Sequence, residues 1–124
     1  MVRIEKTLLC DLTVDEMSIL YNLPKIKAML SCTHGEGYGR PLAEATCCDL
    51  PVIASKWSGH MDFLTETESL LIDGFVKEVP KNMLWKPIIV EPSKWFNVTE
   101  TDVIRKVRLF YKKYKLISKK ALRL

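Results

Sequence analysis

A glycine-rich loop and the start of a helix meet in the run His34-Gly35-Glu36-Gly37-Tyr38-Gly39-Arg40-Pro41-Leu42-Ala43-Glu44. The apolar stretch before this run, from Ile26 to Cys32, predicts a buried strand. Pro41 favours the first position of a helix, because a residue there needs no backbone N–H donor. A strand, a glycine loop and a helix in this order indicate an α/β fold.

The chemistry of the loop points to a phosphate flanked by hydroxyl groups. The predicted helix begins near Arg40, and its unpaired N–H groups, together with the glycine backbone, favour an anion. Glu36 would repel a phosphate if it pointed inward, so we expect it to face neutral hydroxyl groups, such as those of a sugar. Glu44 lies about one turn into the helix, roughly 5 Å along its axis, within reach of a ribose diol. The spacing fits a sugar, a diphosphate and a ribose in sequence.

Other interpretations of this loop fit the residues less well. A P-loop requires Gly-Lys-Ser/Thr, which does not follow, and the three glycines lack the spacing of the dinucleotide-binding fingerprint. Glycoside hydrolases also use paired carboxylates, but theirs flank one bond rather than share a helix start. A plain structural turn is common between a strand and a helix of an α/β fold. These last two interpretations remain alternatives to a ligand site.

Longer motifs carry a resemblance to a known family. Glu36 and Glu44 match the E-x7-E motif of retaining glycosyltransferases with the GT-B fold, inside the pattern E-G-F/Y-G-x-P-x-x-E-A. Downstream, Ala45-Thr46-Cys47-Cys48-Asp49-Leu50-Pro51-Val52-Ile53-Ala54-Ser55 is similar to the family's A-x-x-x-G-x-P-V-I-A-S, and Gly59-His60-Met61-Asp62 to its G-x-x-E/D. The close match runs from Ile26 to Leu64 and resembles group 1 glycosyltransferases. Asp49 replaces a family glycine at a predicted helix end, where left-handed φ is expected.

The resemblance implies a role for each motif position. Glu36 would be the catalytic residue that contacts the donor sugar, Glu44 would hold the ribose, and the loop amides would hold the diphosphate. The implied donor-binding residues are His34, Gly35, Gly37, Tyr38, Gly39, Arg40 and Glu44, and further residues expected near the cleft are Ser58, Gly59 and His60. For His34, a sugar contact and a structural hydrogen bond within the turn are both open. The substrate would be a nucleotide-diphosphate sugar; no metal or other cofactor is expected, because neither histidine has metal-ligand spacing.

With 124 residues, 48% of them hydrophobic, the chain suits a single domain over residues 1–124. The resemblance implies a Rossmann-like parallel sheet with flanking helices, equivalent to the later part of the C-terminal donor-binding domain of a GT-B enzyme. Because such enzymes use two domains, we expect the chain to be a fragment or a reduced homologue, and retaining transfer to an unknown acceptor to require the missing N-terminal domain or an acceptor domain from a separate polypeptide. The alternative is a noncatalytic module, derived from a glycosyltransferase, that binds a nucleotide sugar or a protein partner.

Local patterns predict the elements around the motif. Thr13 and Glu16 have capping-box spacing and open a helix that continues through Leu23. The other predicted elements are an apolar run at Lys6–Cys10, strands at Ile26–Ser31, Val52–Ser55, Ser69–Ile72, Phe75–Val79 and Ile88–Val90, helices at Pro41–Cys48 and Gly59–Leu64, a turn at Asp73-Gly74, and a helix from Thr99 through Tyr114 with a cap signature at Thr99–Asp102. Trp85 and Trp95 fit either packing of the irregular region or a base-stacking surface.

Charge is divided unequally along the chain. Residues 1–104 carry 10 basic and 15 acidic residues, whereas residues 105–124 carry nine basic and none acidic. In this C-terminal basic amphipathic helix, predicted within residues 99–124, Ile104, Val107, Tyr111 and Tyr114 recur at helical spacing and are expected to cover the core. The basic face would be either simply solvated or attracted to an anionic membrane surface. No nucleic-acid motif accompanies the charge, so no specific nucleic acid is expected.

The sequence contains neither a signal-peptide pattern nor an apolar run near 18 residues, which predicts a cytoplasmic protein, peripheral at the membrane if the basic helix binds lipid. A short sheet with an exposed edge strand also predicts self-association into a homo-oligomer.

Overall fold

The described part of the chain contains a three-stranded parallel sheet with helices packed on it, followed by an antiparallel hairpin. The computed structural model describes residues 12–85, 87–89 and 92–114. The sheet has the order β1 (Met29–Ser31), β2 (Val52–Ser55) and β3 (Leu70–Ile72), with both strand pairs parallel. This arrangement confirms the predicted α/β class and the Rossmann-like parallel sheet.

The helices predicted before and after β1 are present. Helix α1 (Val14–Tyr21) begins with the predicted capping box between Thr13 and Glu16. Helix α2 (Arg40–Cys47) has a proline in its first turn, and Asp49 follows it with the expected left-handed φ of 59°. The helix predicted at Gly59–Leu64 is a short 3-10 helix over Gly59–Asp62.

The core lies between the sheet and α1 and α2. Leu42 and Ala45 form the inner face of α2 and are almost fully buried. They pack in one cluster with Tyr21, Leu50, Val52, Ala54, Leu64 and Leu71. All four residues of β2 are buried, as expected for the central strand of a parallel sheet covered by helices.

The segment after β3 differs from the prediction. Strand β4 (Gly74–Glu78) confirms the strand predicted at Phe75–Val79 to within one residue. It begins directly after Asp73, so the predicted Asp73-Gly74 turn is wrong. Strand β5 (Lys94–Val98), for which no strand was predicted, pairs with β4 in antiparallel register. Ile89 makes only an isolated bridge to Trp85, so a strand at Ile88 and Ile89 is wrong. Val90 and the run Lys6–Cys10 lie outside the described residues.

Helix α3 (Glu100–Lys112) packs against β3 through a face that the periodicity did not predict. Asp102 is buried, and its Oδ2 accepts a hydrogen bond of 2.7 Å from the backbone N–H of Asp73. Because Asp102 lies on the packed face, Ile104, Val107 and Tyr111 lie on the outer side of the helix, and all three are exposed. The prediction that this face covers the core is therefore wrong for these three residues, whereas Tyr114 is half-buried. The helix begins after Thr99 as predicted, although the Thr99 side chain makes no capping hydrogen bond.

Asp102 also makes the stability of the fold sensitive to acid. Burial opposes ionisation of its carboxyl, but the hydrogen bond from Asp73 and those from Arg105 hold its pKa below the ordinary 3.8. A folded-state pKa below the unfolded value stabilises the fold above pH 3.8, and this stabilisation is lost as the pH falls through the folded-state pKa.

We expect Asp102→Asn to lower the free energy of unfolding by about 1–3 kcal/mol at neutral pH and to flatten its decline in acid. Urea denaturation at several pH values measures both effects. Asp62→Asn, at an exposed aspartate, is the control for neutral pH. An unchanged acid slope in Asp102→Asn would contradict the assignment.

None of the helices in the described ranges is both long and apolar enough to cross a membrane.

Candidate functional site

Two loops at the ends of neighbouring strands meet at the main chain of Glu36. The backbone N–H of Glu36 donates to Ser58 Oγ at 3.1 Å, and Ser58 Oγ donates to the Glu36 carbonyl at 2.6 Å. The same carbonyl also accepts a hydrogen bond of 3.0 Å from the backbone N–H of Gly59, which is the third bond between the two loops. We call this set of three bonds the Glu36 clamp. It fixes the glycine loop after β1 against the loop after β2.

The clamp depends on a positive φ at one position and on a close backbone contact at the next. Ser58 has a φ of 78° although it is not a glycine, and its two side-chain bonds offset the strain of that conformation. At Gly59, an added Cβ would stand 1.8 Å from the carbonyl oxygen of Gly37, so only glycine permits the close approach. The loop leaves the clamp through Gly39, whose φ of 85° leads into α2 without a side-chain cap.

The side chain of Glu36 is left available by this arrangement. It is half-buried, and its carboxylate makes no hydrogen bond or ion pair with any residue in the described ranges. Beside it, Gly37 is open, because a Cβ there would meet no atom within 4 Å. Tyr38 is exposed and packs its ring against Phe63 with a centroid separation of 5.0 Å. The loop therefore presents a carboxylate and an accessible backbone on a rigid support.

Glu44 has a different environment, on the side of α2 that faces α1. Its Oε2 accepts a hydrogen bond from the Tyr21 hydroxyl at 3.2 Å, and its Oε1 accepts one from Arg40 Nε at 3.1 Å. Burial and the Glu44 carboxylate raise the pKa of Tyr21, which keeps its hydroxyl protonated as a donor. The Arg40 side chain is 82% exposed, so this ion pair is easily exchanged for a ligand.

The hairpin supports the glycine loop from its outer side. His34 stacks on Trp95 with ring centroids 3.9 Å apart, and its Nδ1 donates to the Phe96 carbonyl at 2.7 Å. Trp57, which precedes Ser58, stacks in turn on Phe96 at 5.8 Å. The structural bond of His34 is thus made to β5 rather than within its own turn, and Trp95 packs against the loop.

His60 lies beneath the loop. Its side chain is fully buried, and Nε2 donates to the Ser55 carbonyl at 2.5 Å. A Cβ added at Gly39 would stand 2.8 Å from the Cβ of His60, which shows how closely the ring packs under the start of α2. The imidazole therefore supports the loop and does not reach the surface.

The structure brings Glu36, Gly37, Ser58 and Gly59 into direct contact and links Glu44 to Arg40 on α2. Sequence reasoning missed two supports, the Tyr21 hydroxyl and the β5 residues Trp95 and Phe96. The run Lys94–Val98 is rich in strand-forming residues and gave a signal for β5, which the nearby prolines obscured. No comparable local signal pairs Tyr21 with a residue 23 positions away.

Comparison with known proteins agrees with the fold and the loop. The family model of the glycosyl transferases group 1 matches residues 7–86, a range that contains both glutamates and the whole Glu36 clamp. The chain belongs to the group 1 glycosyl transferase family. Neither the curated proteins nor the solved structures yield a match to this chain.

Proposed function

We propose that this chain is the donor-binding part of a retaining GT-B glycosyltransferase and that it binds a nucleotide-diphosphate sugar at the glycine loop. The observation that carries the proposal is the Glu36 clamp. It holds the backbone of Glu36 with three hydrogen bonds, while the carboxylate has no partner among the described residues. A carboxylate presented in this way can accept hydrogen bonds from sugar hydroxyls.

The neighbouring groups support the order of the proposed contacts. The uncapped start of α2 supplies backbone N–H groups for the diphosphate. The exposed Arg40 would leave Glu44 and neutralise phosphate charge, which would free Glu44 Oε1 for the ribose hydroxyls. Tyr21 would remain bonded to Oε2 and hold the carboxylate in place. Tyr21 is thus a positioning residue, and Glu36 is the residue proposed to contact the sugar.

Transfer would also need a surface that binds the acceptor, which we propose to be provided by an acceptor domain, either in the same protein or on a separate polypeptide. Under this proposal the chain retains donor affinity and lacks transferase activity when purified alone, and no metal takes part. A noncatalytic module would bind a donor equally well but gain no activity with any such polypeptide.

Calorimetric titration with a panel of UDP-, GDP- and ADP-sugars tests donor binding. We expect the parent chain to bind one nucleotide series, and Glu36→Ala and Glu44→Ala each to weaken binding about tenfold or more, because each removes hydrogen bonds to a charged group. Tyr21→Phe should cost only a few-fold, because it removes one positioning bond.

Glu78→Ala, on the exposed β4, is the matched control and should bind like the parent. Absence of binding by the parent across the panel, or parental affinity in both Glu36→Ala and Glu44→Ala, would refute the proposed donor site.

A further inference from the structure

The exposed face of α3 has the composition of a membrane-surface helix. Ile104, Val107 and Tyr111 are 44%, 39% and 87% exposed, although the helix is otherwise packed on β3. At about 100° per residue they occupy an arc of roughly 60° on the helix. Arg108 and Lys112 lie about 40° and 80° to one side of Ile104 on the same projection. We call this surface of apolar residues bordered by cations the α3 stripe.

The cations of the α3 stripe are available to an external partner. Arg105 is bonded to Asp102, but neither Arg108 nor Lys112 forms an ion pair with a residue in the described ranges. Both line a groove of about 540 Å³ together with Ile104 and Leu109. The only acidic residues of α3 lie in its first turn. All charged residues in the rest of the helix are therefore basic.

The sequence beyond the described helix continues this charge. Residues 115–124 add four basic residues and no acidic one, whereas residues 1–104 are net acidic. A negatively charged surface would thus be attracted to this end of the chain and repelled by the rest. An extended anionic surface that also accepts apolar side chains is the interface of an anionic bilayer.

We propose that the α3 stripe docks on an anionic lipid bilayer, with Ile104, Val107 and Tyr111 entering the interface and Arg108 and Lys112 contacting lipid headgroups. This inference is independent of donor binding, because the stripe shares no residue with the Glu36 clamp. The buried contacts of α3, through Asp102 and its neighbours, keep the helix on the domain while the stripe faces outward.

Co-sedimentation with vesicles of phosphatidylcholine alone, or of phosphatidylcholine with about one-third phosphatidylserine, tests the proposal. We expect binding to the mixed vesicles, weakened by salt, and little binding to the neutral ones. Arg108→Glu with Lys112→Glu should reduce partitioning about tenfold or more, and Ile104→Ser with Tyr111→Ser should do so while conserving charge.

Lys77→Glu with Lys81→Glu makes the same change in net charge at exposed lysines outside α3 and should bind almost like the parent. Because all the substituted side chains are exposed, circular dichroism should report parental helix content in each variant. The proposal is overturned if neutral vesicles pellet the chain equally or if the charge control loses as much binding as the stripe variants. It is equally overturned if light scattering finds a dimer that the stripe variants dissociate and that does not pellet with the mixed vesicles.

Discussion

Gly59→Ala is expected to separate the two loops of the candidate site and to lower the free energy of unfolding by about 3 kcal/mol or more. The new Cβ would stand 1.8 Å from the Gly37 carbonyl oxygen and 2.8 Å from that of Glu36. Backbone atoms cannot turn aside as a flexible side chain can, so the loops must part. The Glu36 clamp would break with them, because its third bond comes from Gly59 itself.

Gly37→Ala is the matched control for this variant. It makes the same chemical change in the opposite partner of the close contact, but its Cβ would meet no atom within 4 Å, and Gly37 has no positive φ. We expect its stability to stay within about 1 kcal/mol of the parent. Urea denaturation and donor titration of both variants measure the difference, and equal midpoints would show that the two loops are not in contact.

Leu42→Ala is expected to cost about 2–5 kcal/mol, a large share of the roughly 5–15 kcal/mol that stabilises a typical domain. Leu42 is among the largest fully buried side chains and lies on α2 three positions after Gly39. Truncation would leave a cavity between α2 and the sheet, beneath the start of the helix that supports the loop. Donor affinity should therefore fall along with stability.

Leu30→Ala applies the same truncation at a half-exposed position of β1. Because little apolar surface returns to water and no closed cavity forms, we expect a loss of less than about 1.5 kcal/mol. Thermal and urea unfolding of the pair isolate the effect of burial from that of the residue type. Similar losses in both variants would contradict the assignment of Leu42 to the core.

Local signals in the sequence predicted the helices and strands of the parallel-sheet region. The capping box at Thr13, the proline at the start of α2 and the apolar run Val52–Ser55 each act within a few residues, so their structural effect is readable in order along the chain. The same is true of Asp49, whose left-handed φ follows from its place at the end of a helix. The motif then placed Glu36 in the loop and Glu44 one turn into α2.

The orientation of α3 shows where prediction from local sequence patterns fails. Its periodic apolar residues predicted the packed face, but Asp102 is buried instead, hydrogen-bonded to the backbone of Asp73, and Ile104, Val107 and Tyr111 are exposed. The two partners are 29 positions apart, and an isolated aspartate gives no sign that it will be buried. Likewise, β5 became a strand because β4 paired with it, across an intervening segment that contains several prolines.

By itself, the sequence determined the α/β class, the order of the main elements and the family to which the chain belongs, because periodicity, caps and motifs are properties of neighbouring residues. Tertiary structure alone decided which groups support the site. The clamp of Ser58 and Gly59 on Glu36, the Tyr21 bond to Glu44 and the stacking of Trp95 on His34 join residues 22 to 61 positions apart. Such contacts form only when the loops are brought together at the ends of adjacent strands, and no local interaction encodes them.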